Sequence, residues 1–361
     1  MKVVIRADAS VAIGTGHVMR CLTLASRLRK AGAAVSFVCR ELSGNMAAFI
    51  EDKGFIVHRL HGVERLPEAS GIYEKWLGVG LQRDADDTLE ILKKELGVDW
   101  LVIDHYGIDK SWEERMRPFV KKVMVIDDLT NRPHDCDLLL NQSILENNAG
   151  RYDGLIPDGC KRLVGPQYSL LRPEFIEARE RMRQRDGQIR RIFVFFGGSD
   201  ISNETMKALL AIKSLNLPDV SVDVVAGGAN AHLKEIEGFC SAMTNTRFYG
   251  QTDNMAGLMS LADLALGASG TTTWERCCLG LPSLVVAIAD NQVEIAANLD
   301  KMGVVVNLGP SREVTEEGIR RRLADLIGKP ELVKAISVKT AGLTDGSGVE
   351  VVVKELYAEY P

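Results

Sequence analysis

The stretch "MKVVIRADASVAIGTGHVMRCLTLASRLRKAG", residues 1–32, decides the fold. Val3–Ile5 is a short apolar run typical of a strand, and Gly14 and Gly16 allow a tight turn after it. The apolar positions that follow share one helical face: Val18, Cys21, Leu22, Ala25 and Leu28. Gly32 then stops the helix. A strand, a glycine loop and a helix in this order are typical of a parallel α/β sheet.

The same alternation continues along the chain. Further strands are predicted in the first half at Val35–Cys39, Phe55–Leu60, Trp100–Ile103, Val123–Ile126 and Leu138–Leu140. A second series comprises "RIFVFFGGSD", "VSVDVVAGG", "NTRFYG", "ADLALGASG", "LPSLVVAIAD" and "GVVVNLG". We therefore predict an α/β protein with two Rossmann-like, doubly wound domains at 1–170 and 191–361, joined by a charged connector at 171–190. The amphipathic segment Gly348–Tyr360 is expected to close the second domain as a helix.

Composition excludes several classes of protein. The chain has 361 residues, of which 46% are hydrophobic and 26% charged, as in soluble globular proteins. Its net charge of -5 argues against a general nucleic-acid binder. No window approaches the roughly 20 apolar residues of a membrane span, and "MKVVIRADAS" is interpreted as a strand carrying charges rather than as a signal peptide, so we expect a cytoplasmic protein. The seven scattered cysteines match neither a disulfide framework nor a zinc site.

The glycine loop before His17 admits two interpretations. A dinucleotide-binding motif would need a third glycine where Met19 stands, and its acidic residue would have to be Glu41, so a nicotinamide-dependent oxidoreductase matches weakly. His17 itself is either a hydrogen-bonded surface residue or a base. The positive end of a helix disfavours imidazolium, and a neutral imidazole can take a proton from water.

Two loops in the second half suit anions. In "FFGGSD", Gly197, Gly198 and Ser199 can offer amides or a hydroxyl to phosphate, whereas Asp200 is better placed to cap the next helix. "GASGTTTWERCCLGLP", residues 267–282, places small and hydroxyl residues at a helix start, with Glu275 one turn later. A carboxylate there can accept hydrogen bonds from a ribose diol, although a plain capped helix would look similar.

Several motifs together resemble those of the UDP-sugar hydrolases of pseudaminic acid biosynthesis, in the glycosyltransferase-B superfamily. They are "GTGHVMRCLTLA" (14–25), "IDHYG" (103–107), "IDD" (126–128), "CDLLLNQ" (136–142), "YSLLRPEF" (168–175), "GGSD" (197–200), "SGTTTWE" (269–275) and "NQ" (291–292). Spore coat polysaccharide glycosyltransferase-like proteins share several of these motifs. The chain is longer than the smallest family members near residues 60 to 90 and at its C-terminus.

The resemblance implies a glycosyltransferase-B architecture, with two Rossmann-like domains facing each other across a cleft. It implies hydrolysis of UDP-2,4-diacetamido-2,4,6-trideoxy-beta-L-altropyranose to UDP and free sugar, by inverting attack of water on the anomeric carbon. No metal, cofactor or obligate protein partner is expected. His17, the histidine of the family's "GxGH" pattern, is then the general base.

The resemblance also assigns the remaining site residues. In the N-terminal domain and connector, those expected to bind the sugar are Asp8, Gly16, Asp104, His105, Tyr106, Asn141 and Arg172. In the C-terminal domain, those expected to bind the nucleotide or its phosphates are Gly198, Ser199, Met255, Gly270, Thr271, Thr272, Glu275, Asn291 and Gln292. For Asp127 and Asp128 we expect a structural or sugar-contact role, because adjacent carboxylates on a strand chelate a metal poorly. Tyr73, Tyr152 and the tryptophans are interpreted as packing residues.

Two other functions remain open on the sequence. A glycosyltransferase would use the same site with an acceptor alcohol in place of water. A non-catalytic protein would bind the nucleotide sugar without turning it over.

Overall fold

The structure is a computed structural model that describes residues 1–64, 66–67, 70–146 and 150–360. These residues divide into two compact units. The first contains those within 1–143, 147–170 and 347–361, and the second those within 144–146 and 171–346. In the part of the chain described, no helix is both long and apolar enough to cross a membrane.

The first unit is built on a sheet of seven described strands, all paired in parallel. In chain order they are β1 (Lys2–Ala7), β2 (Ala34–Arg40), β3 (Ile56–Leu60), β4 (Val98–Asp104), β5 (Val120–Ile126), β6 (Leu138–Asn141) and β7 (Lys161–Val164). Their order in the sheet is β3-β2-β1-β4-β5-β6-β7, so it reverses between β1 and β4. The six strands predicted for this half are confirmed, and β7 extends the sheet at its edge.

Helices cover this sheet, namely α1 (Gly16–Lys30), α2 (Ala47–Asp52), α3 (Ile72–Trp76), α4 (Leu81–Lys94) and α5 (Lys110–Met116). Short 3₁₀ turns lie at Arg117–Phe119, Gly150–Tyr152 and Pro166–Tyr168. The predicted apolar face of α1 is confirmed, since all five of its predicted residues are buried. Gly32 adopts a φ of 91° just after the helix, a conformation that glycine reaches without strain.

The second unit has a parallel sheet of six described strands. They are β8 (Arg191–Phe195), β9 (Ser221–Val225), β10 (Thr246–Tyr249), β11 (Leu264–Ala268), β12 (Ser283–Ala287) and β13 (Val306–Pro310). The order β10-β9-β8-β11-β12-β13 reverses between β8 and β11. All six predicted strands are confirmed, as is the α/β class of both halves.

The helices of the second unit are α6 (Pro173–Glu180), α7 (Glu204–Ser214), α8 (Leu233–Ser241), α9 (Met255–Leu261), α10 (Thr272–Cys278), α11 (Val293–Lys301), α12 (Glu316–Ile327) and α13 (Pro330–Ala341). A 3₁₀ turn at Asp290–Gln292 precedes α11. The final helix, α14 (Gly348–Ala358), belongs to the first unit.

The predicted connector is part of the second unit. Arg179 of α6 donates hydrogen bonds to the carbonyls of Cys278, Ala341 and Thr344 at 2.6 to 3.0 Å. Buried Arg185 likewise donates to three turn carbonyls at 2.7 to 2.9 Å, those of Ala262, Leu279 and Gly280. Because these bonds join residues 171–190 to the second sheet's helices and turns, this segment is not a free linker.

Helix α14 departs from the expectation that it would close the second domain. Its buried residues Val349, Val352 and Leu356 join the core beneath α1, and Trp100 of β4 donates its indole N–H to the Leu356 carbonyl at 3.1 Å. Arg27 of α1 pairs with Glu350 at the start of the helix. Burial of these apolar side chains therefore stabilises the end of the chain against the first unit.

Two glycines hold the loop after β8 against the end of β9. A Cβ at Gly227 would lie 2.4 Å from both the Cα and the carbonyl oxygen of Gly198. Backbone atoms cannot rotate away from an added Cβ as the end of a side chain can. Position 227 must therefore be glycine for the two segments to approach this closely.

We expect Gly227→Ala to destabilise the second unit by about 1–3 kcal/mol, because the added methyl group overpacks a backbone contact. Gly238→Ala is the matched control: no atom lies within 4 Å of its Cβ position in α8. There alanine should stabilise by about 0.5–1 kcal/mol. Urea or thermal unfolding of both variants measures the difference, and equal stability of the two would contradict the proposed contact.

Candidate active site

The residues predicted to act on the sugar gather where the first sheet reverses its order. Ala7, the last residue of β1, is paired with Asp104, the last residue of β4, so both strands end level. Gly14, at a φ of 79°, closes a turn in which its amide donates to the Ser10 carbonyl at 2.8 Å. This turn leads directly into α1, whose second residue is His17. Crevices at such reversals are the usual ligand sites of parallel α/β sheets.

His17 is bound to a buried carboxylate. Its Nδ1 lies 2.6 Å from Oδ1 of Asp104. Arg20, one helical turn after His17, donates to both carboxylate oxygens of Asp104 at 2.6 and 2.7 Å. Burial alone would raise the pKa of Asp104, but the Arg20 charge and then His17 lower it well below its usual range. Asp104 is therefore ionised at neutral pH.

This pairing selects one tautomer of His17. An ionised carboxylate can only accept hydrogen bonds, so Nδ1 of His17 must carry the proton that Asp104 accepts. In the neutral ring the lone pair is then on Nε2. The arrangement can remove a proton from a water or an alcohol at Nε2, with Asp104 stabilising the imidazolium that forms.

Aromatic rings surround His17. Tyr106 lies edge-on to its ring with centroids 4.6 Å apart, and Trp76 of α3 lies edge-on at 6.1 Å. Trp76 also stacks on Tyr106 at 5.8 Å, and Tyr73 meets both rings. The Tyr106 hydroxyl donates to Asp128 at 3.0 Å, and Asp128 is also paired with Arg20 at 2.6 Å. The imidazole is thus fixed by its carboxylate and by packing.

A cavity of about 670 Å³ lies beside this cluster. The residues that line it include Tyr73, Leu77, Tyr106, Gly107 and Arg132. A Cβ at Gly107 would lie 2.4 Å from the Tyr73 carbonyl, so glycine at this position lets α3 pack close to the end of β4. The volume is within the usual range for small-molecule sites.

Asp8 and His105 are buried near this cluster. Asp8 pairs with Arg6 at 2.7 Å and accepts the Arg40 amide at 2.7 Å. His105 accepts the Gly107 amide on Nδ1 at 3.0 Å, and its burial lowers its pKa to about 4, so the ring is neutral at pH 7. Oδ2 of Asp8 and Nε2 of His105 are buried, 3.5 Å apart, without a hydrogen bond.

Asn141, at the end of β6, is also buried. Its amide nitrogen donates to the Tyr152 hydroxyl at 2.9 Å, and its oxygen accepts from the amide and hydroxyl of Ser143 at 2.7 and 2.5 Å. These bonds hold the loop after β6, and the sugar contact of Asn141 stays a prediction. Among the described residues, no cluster of three or more His, Cys, Asp or Glu side chains is arranged for a metal ion.

The predicted phosphate loops flank the reversal of the second sheet. Gly267 of β11 is paired with Phe195, the last residue of β8. Gly198 and Ser199 follow β8, while Gly270, Thr271 and Thr272 follow β11. Asp200 caps α7, since its two oxygens accept the amides of Glu204 and Thr205 at 2.9 Å, as predicted. The structure thus brings both loops to one edge of one sheet.

Gln292 links the loop after β11 to the turn after β12. Its Oε1 accepts the Ile288 amide at 3.1 Å and lies 3.5 Å from the Ser269 hydroxyl. Its Nε2 lies 3.2 Å from where a Cβ of Gly270 would stand. Asn291 shares this turn. Met255, the first residue of α9, is buried in the core with Trp274.

Glu275 is paired with Arg172. Its Oε1 accepts from Nη2 of Arg172 at 3.0 Å, while Oε2 is buried without a hydrogen bond. Burial raises the pKa of Glu275, and the Arg172 charge partly opposes this. Arg172, predicted to reach the sugar, also pairs with Glu174 at 2.9 Å. The unpartnered oxygen of Glu275 can accept from a ribose hydroxyl.

Several residues of these sites escaped the sequence interpretation. Arg20 had a local signal, because it lies three positions after His17 on the same helical face. No local sequence signal pointed to Trp76, because its segment is distant from His17 in sequence and only folding brings the two together. Glu41, the acidic residue that a dinucleotide site would need, is paired with Arg59 at 3.1 Å and His61 at 2.7 Å.

The sequence is similar to several characterised or named proteins, although no model of a known protein family matches it. It is 28% identical over 308 residues to the UDP-2,4-diacetamido-2,4,6-trideoxy-beta-L-altropyranose hydrolase of Campylobacter jejuni, covering 85% of this chain and 98% of that protein. It is 22% identical over 310 residues to the Helicobacter pylori protein named pseudaminic acid cytidylyltransferase and UDP-2,4-diacetamido-2,4,6-trideoxy-beta-L-altropyranose hydrolase. That match covers 84% of this chain and 48% of the relative. The spore coat polysaccharide biosynthesis protein SpsG of Bacillus subtilis is 29% identical over 199 residues, 54% of this chain and 58% of SpsG.

Solved structures match this chain over nearly its whole length. MurG of Acinetobacter baumannii matches with a TM-score of 0.66 at 16% identity, covering 99% of each chain. The spinosyn rhamnosyltransferase SpnG matches at 0.66 and 15% identity, covering 97% of this chain and 99% of SpnG. UDP-GlcNAc 2-epimerase from Neisseria meningitidis, bound to UDP-GlcNAc, matches at 0.63 and 15%, covering 99% of this chain and 100% of the epimerase. At these identities the likeness concerns the fold alone. The fold is therefore that of the glycosyltransferase-B proteins, and the sequence resemblance to the UDP-sugar hydrolases of pseudaminic acid biosynthesis is confirmed.

Proposed function

We propose that this chain is an enzyme that hydrolyses UDP-2,4-diacetamido-2,4,6-trideoxy-beta-L-altropyranose to UDP and the free sugar, in pseudaminic acid biosynthesis. The observation that carries the proposal is His17, whose Nδ1 is held by ionised Asp104 at the order reversal of the first sheet. The substrate is supported by the name of the Campylobacter jejuni relative, which aligns over nearly its whole length.

In the proposed reaction, Nε2 of His17 takes a proton from water as the water oxygen bonds to the anomeric carbon. The bond between that carbon and the UDP oxygen breaks, and both electrons leave with UDP. A single displacement of this kind inverts the anomeric configuration. Asp104 balances the charge of the imidazolium, and Arg20 keeps Asp104 in place.

UDP leaves readily once its diphosphate charge is stabilised, so no protonated acid is needed. We assign this stabilisation to the second unit, with amides and hydroxyls of Gly198, Ser199, Gly270, Thr271 and Thr272 near the phosphates. Glu275 would bind the ribose through its unpartnered Oε2. Met255 would lie near uracil, and Asn291 and Gln292 near the diphosphate or the donor sugar.

The first unit, in this proposal, binds the sugar. Tyr106 lines the cavity of about 670 Å³ and also contacts the His17 ring, so a sugar in that cavity would contact a residue that packs against the proposed base. Gly16 is the first residue of α1 and directly precedes His17. Asp8, His105 and Asn141 would act mainly by shaping this site, because their side chains are buried and bound within the protein. Arg172 would act through Glu275.

A second candidate is a glycosyltransferase that uses an alcohol in place of water. The similarity to SpsG and the size of the cavity beside Tyr106 favour it. The same His17 would then deprotonate the acceptor.

Isotopic labelling tests the reaction directly. With the UDP-linked diacetamido sugar in H₂¹⁸O, we expect ¹⁸O in the sugar and none in UDP, with equal rates of sugar and UDP release. Nuclear magnetic resonance should show the inverted anomer first. Label in UDP would mean attack at phosphorus, and UDP release that requires an added alcohol would favour the transferase.

We expect His17→Ala to reduce hydrolysis by about 10²-fold or more while leaving UDP affinity unchanged, because it removes a positioned base. Asp104→Asn should also slow the reaction, since it loses the charge that selects the tautomer. His61→Ala is the matched control, because the His61 side chain is 76% exposed and pairs with Glu41. Turnover by His17→Ala at the wild-type rate would overturn the assignment of the base.

We expect Glu275→Ala to weaken UDP binding by about tenfold, as for loss of a charged hydrogen bond. Binding of 2′,3′-dideoxy-UDP should change little, because that ligand lacks the hydroxyls. Glu174→Ala removes the other carboxylate from Arg172 and serves as the control. Calorimetry measures each affinity, and an equal loss for both ligands in Glu275→Ala would argue against a ribose contact.

A further inference from the structure

Arg276 lies beneath the loop between β11 and α10. It is 1% exposed and donates from Nη2 to the Ala268 carbonyl at 2.7 Å and to the Thr273 hydroxyl at 3.0 Å. Ala268 ends β11 and Thr273 lies in the first turn of α10, so these bonds bracket Ser269–Thr272. One guanidinium thus holds both ends of the loop expected to meet the phosphates.

Within the described residues no carboxylate forms a hydrogen bond or salt bridge with Arg276, although the charge of the neighbouring Glu275 partly opposes the effect of burial on its pKa. Among them only Nη2 of this guanidinium makes hydrogen bonds, and Nε is buried without one. Arg185, the other buried arginine of this unit, differs, because three of its nitrogens donate to carbonyls. Burial lowers the pKa of Arg276 to about 10, so it remains charged at neutral pH. A buried cation that no carboxylate contacts directly is costly, and a further anion nearby would offset that cost.

The guanidinium also reaches the point where the second sheet reverses. A Cβ at Gly267 would lie 2.7 Å from Nη1 of Arg276 and 2.5 Å from the Phe195 carbonyl. Gly267 and Phe195 are the paired residues of β11 and β8 at this reversal. The unpartnered side of Arg276 therefore lies at the base of the crevice from which both phosphate loops start.

We propose that Arg276 is a positioning residue for the diphosphate of the bound nucleotide, acting from beneath Ser269–Thr272 as a buried counter-charge. The inference rests on the proposed function, which places UDP at this loop. Because the charge is screened little inside the protein, it attracts the diphosphate through the loop and favours UDP over uncharged uridine. Its hydrogen bonds also set the shape of the loop.

The test compares UDP and uridine binding by calorimetry in the full-length protein. In Arg276→Met we expect UDP affinity to fall by about tenfold or more and uridine affinity to change by less than about twofold. Arg276→Lys, which retains the charge, should recover most of the preference for UDP. Arg276→Gln is a second neutral variant that keeps a donor for Ala268, and its preference should fall as in Arg276→Met.

Arg185→Met is the matched control, because it removes a buried guanidinium held only by carbonyls at other turns. Melting temperatures identify the folded variants. If the neutral Arg276 variants lose equal affinity for UDP and for uridine, Arg276 only shapes the loop and the inference is wrong. Unchanged UDP affinity in these variants would also overturn it. Wild-type protein that binds neither ligand would contradict the proposed function and this inference with it.

Discussion

The parallel pairing of every described strand is the constraint on which the sites depend. In a parallel sheet all carboxyl ends lie on one edge, and a reversal of strand order leaves a crevice there. His17 and Asp104 meet at the reversal of the first sheet, although 87 positions separate them. Gly198 and Gly270 flank the corresponding position of the second sheet. The candidate site residues of each unit thus lie in loops that the parallel sheet places at this edge.

Each crevice also contains a buried arginine, and the two arginines differ in their partners. Arg20 is neutralised by Asp104 and Asp128, so its charge keeps a carboxylate ionised beside His17. Arg276 forms hydrogen bonds to a carbonyl and a hydroxyl and none to a carboxylate within the described residues. In a medium of low dielectric constant, the first arrangement fixes a proton on one imidazole nitrogen, and the second leaves positive charge that no carboxylate contacts directly. The same residue type is therefore proposed to support a base in one unit and anion binding in the other.

Local patterns made much of the fold predictable. Strands, glycine turns and the apolar face of α1 follow from residues adjacent in sequence, as does the position of the loop between β11 and α10. Long-range packing does not. Helix α14 was expected to close the second domain, but its apolar face packs beneath α1. For Asn141 and Asp8 the sugar contact stays a prediction, and the structure shows hydrogen bonds of both residues within the protein. No local pattern distinguishes a ligand contact from such an internal hydrogen bond.

Trp76 shows what such long-range packing contributes to the chemistry. It lies in α3, and its ring contacts those of both His17 and Tyr106. Gly107 permits this, since a side chain there would collide with the Tyr73 carbonyl. Aromatic rings beside an imidazole limit the water around it and the directions from which a nucleophile can approach. If His17 is the base, the choice between water and an alcohol then depends on the space that α3 leaves beside it, rather than on the base itself.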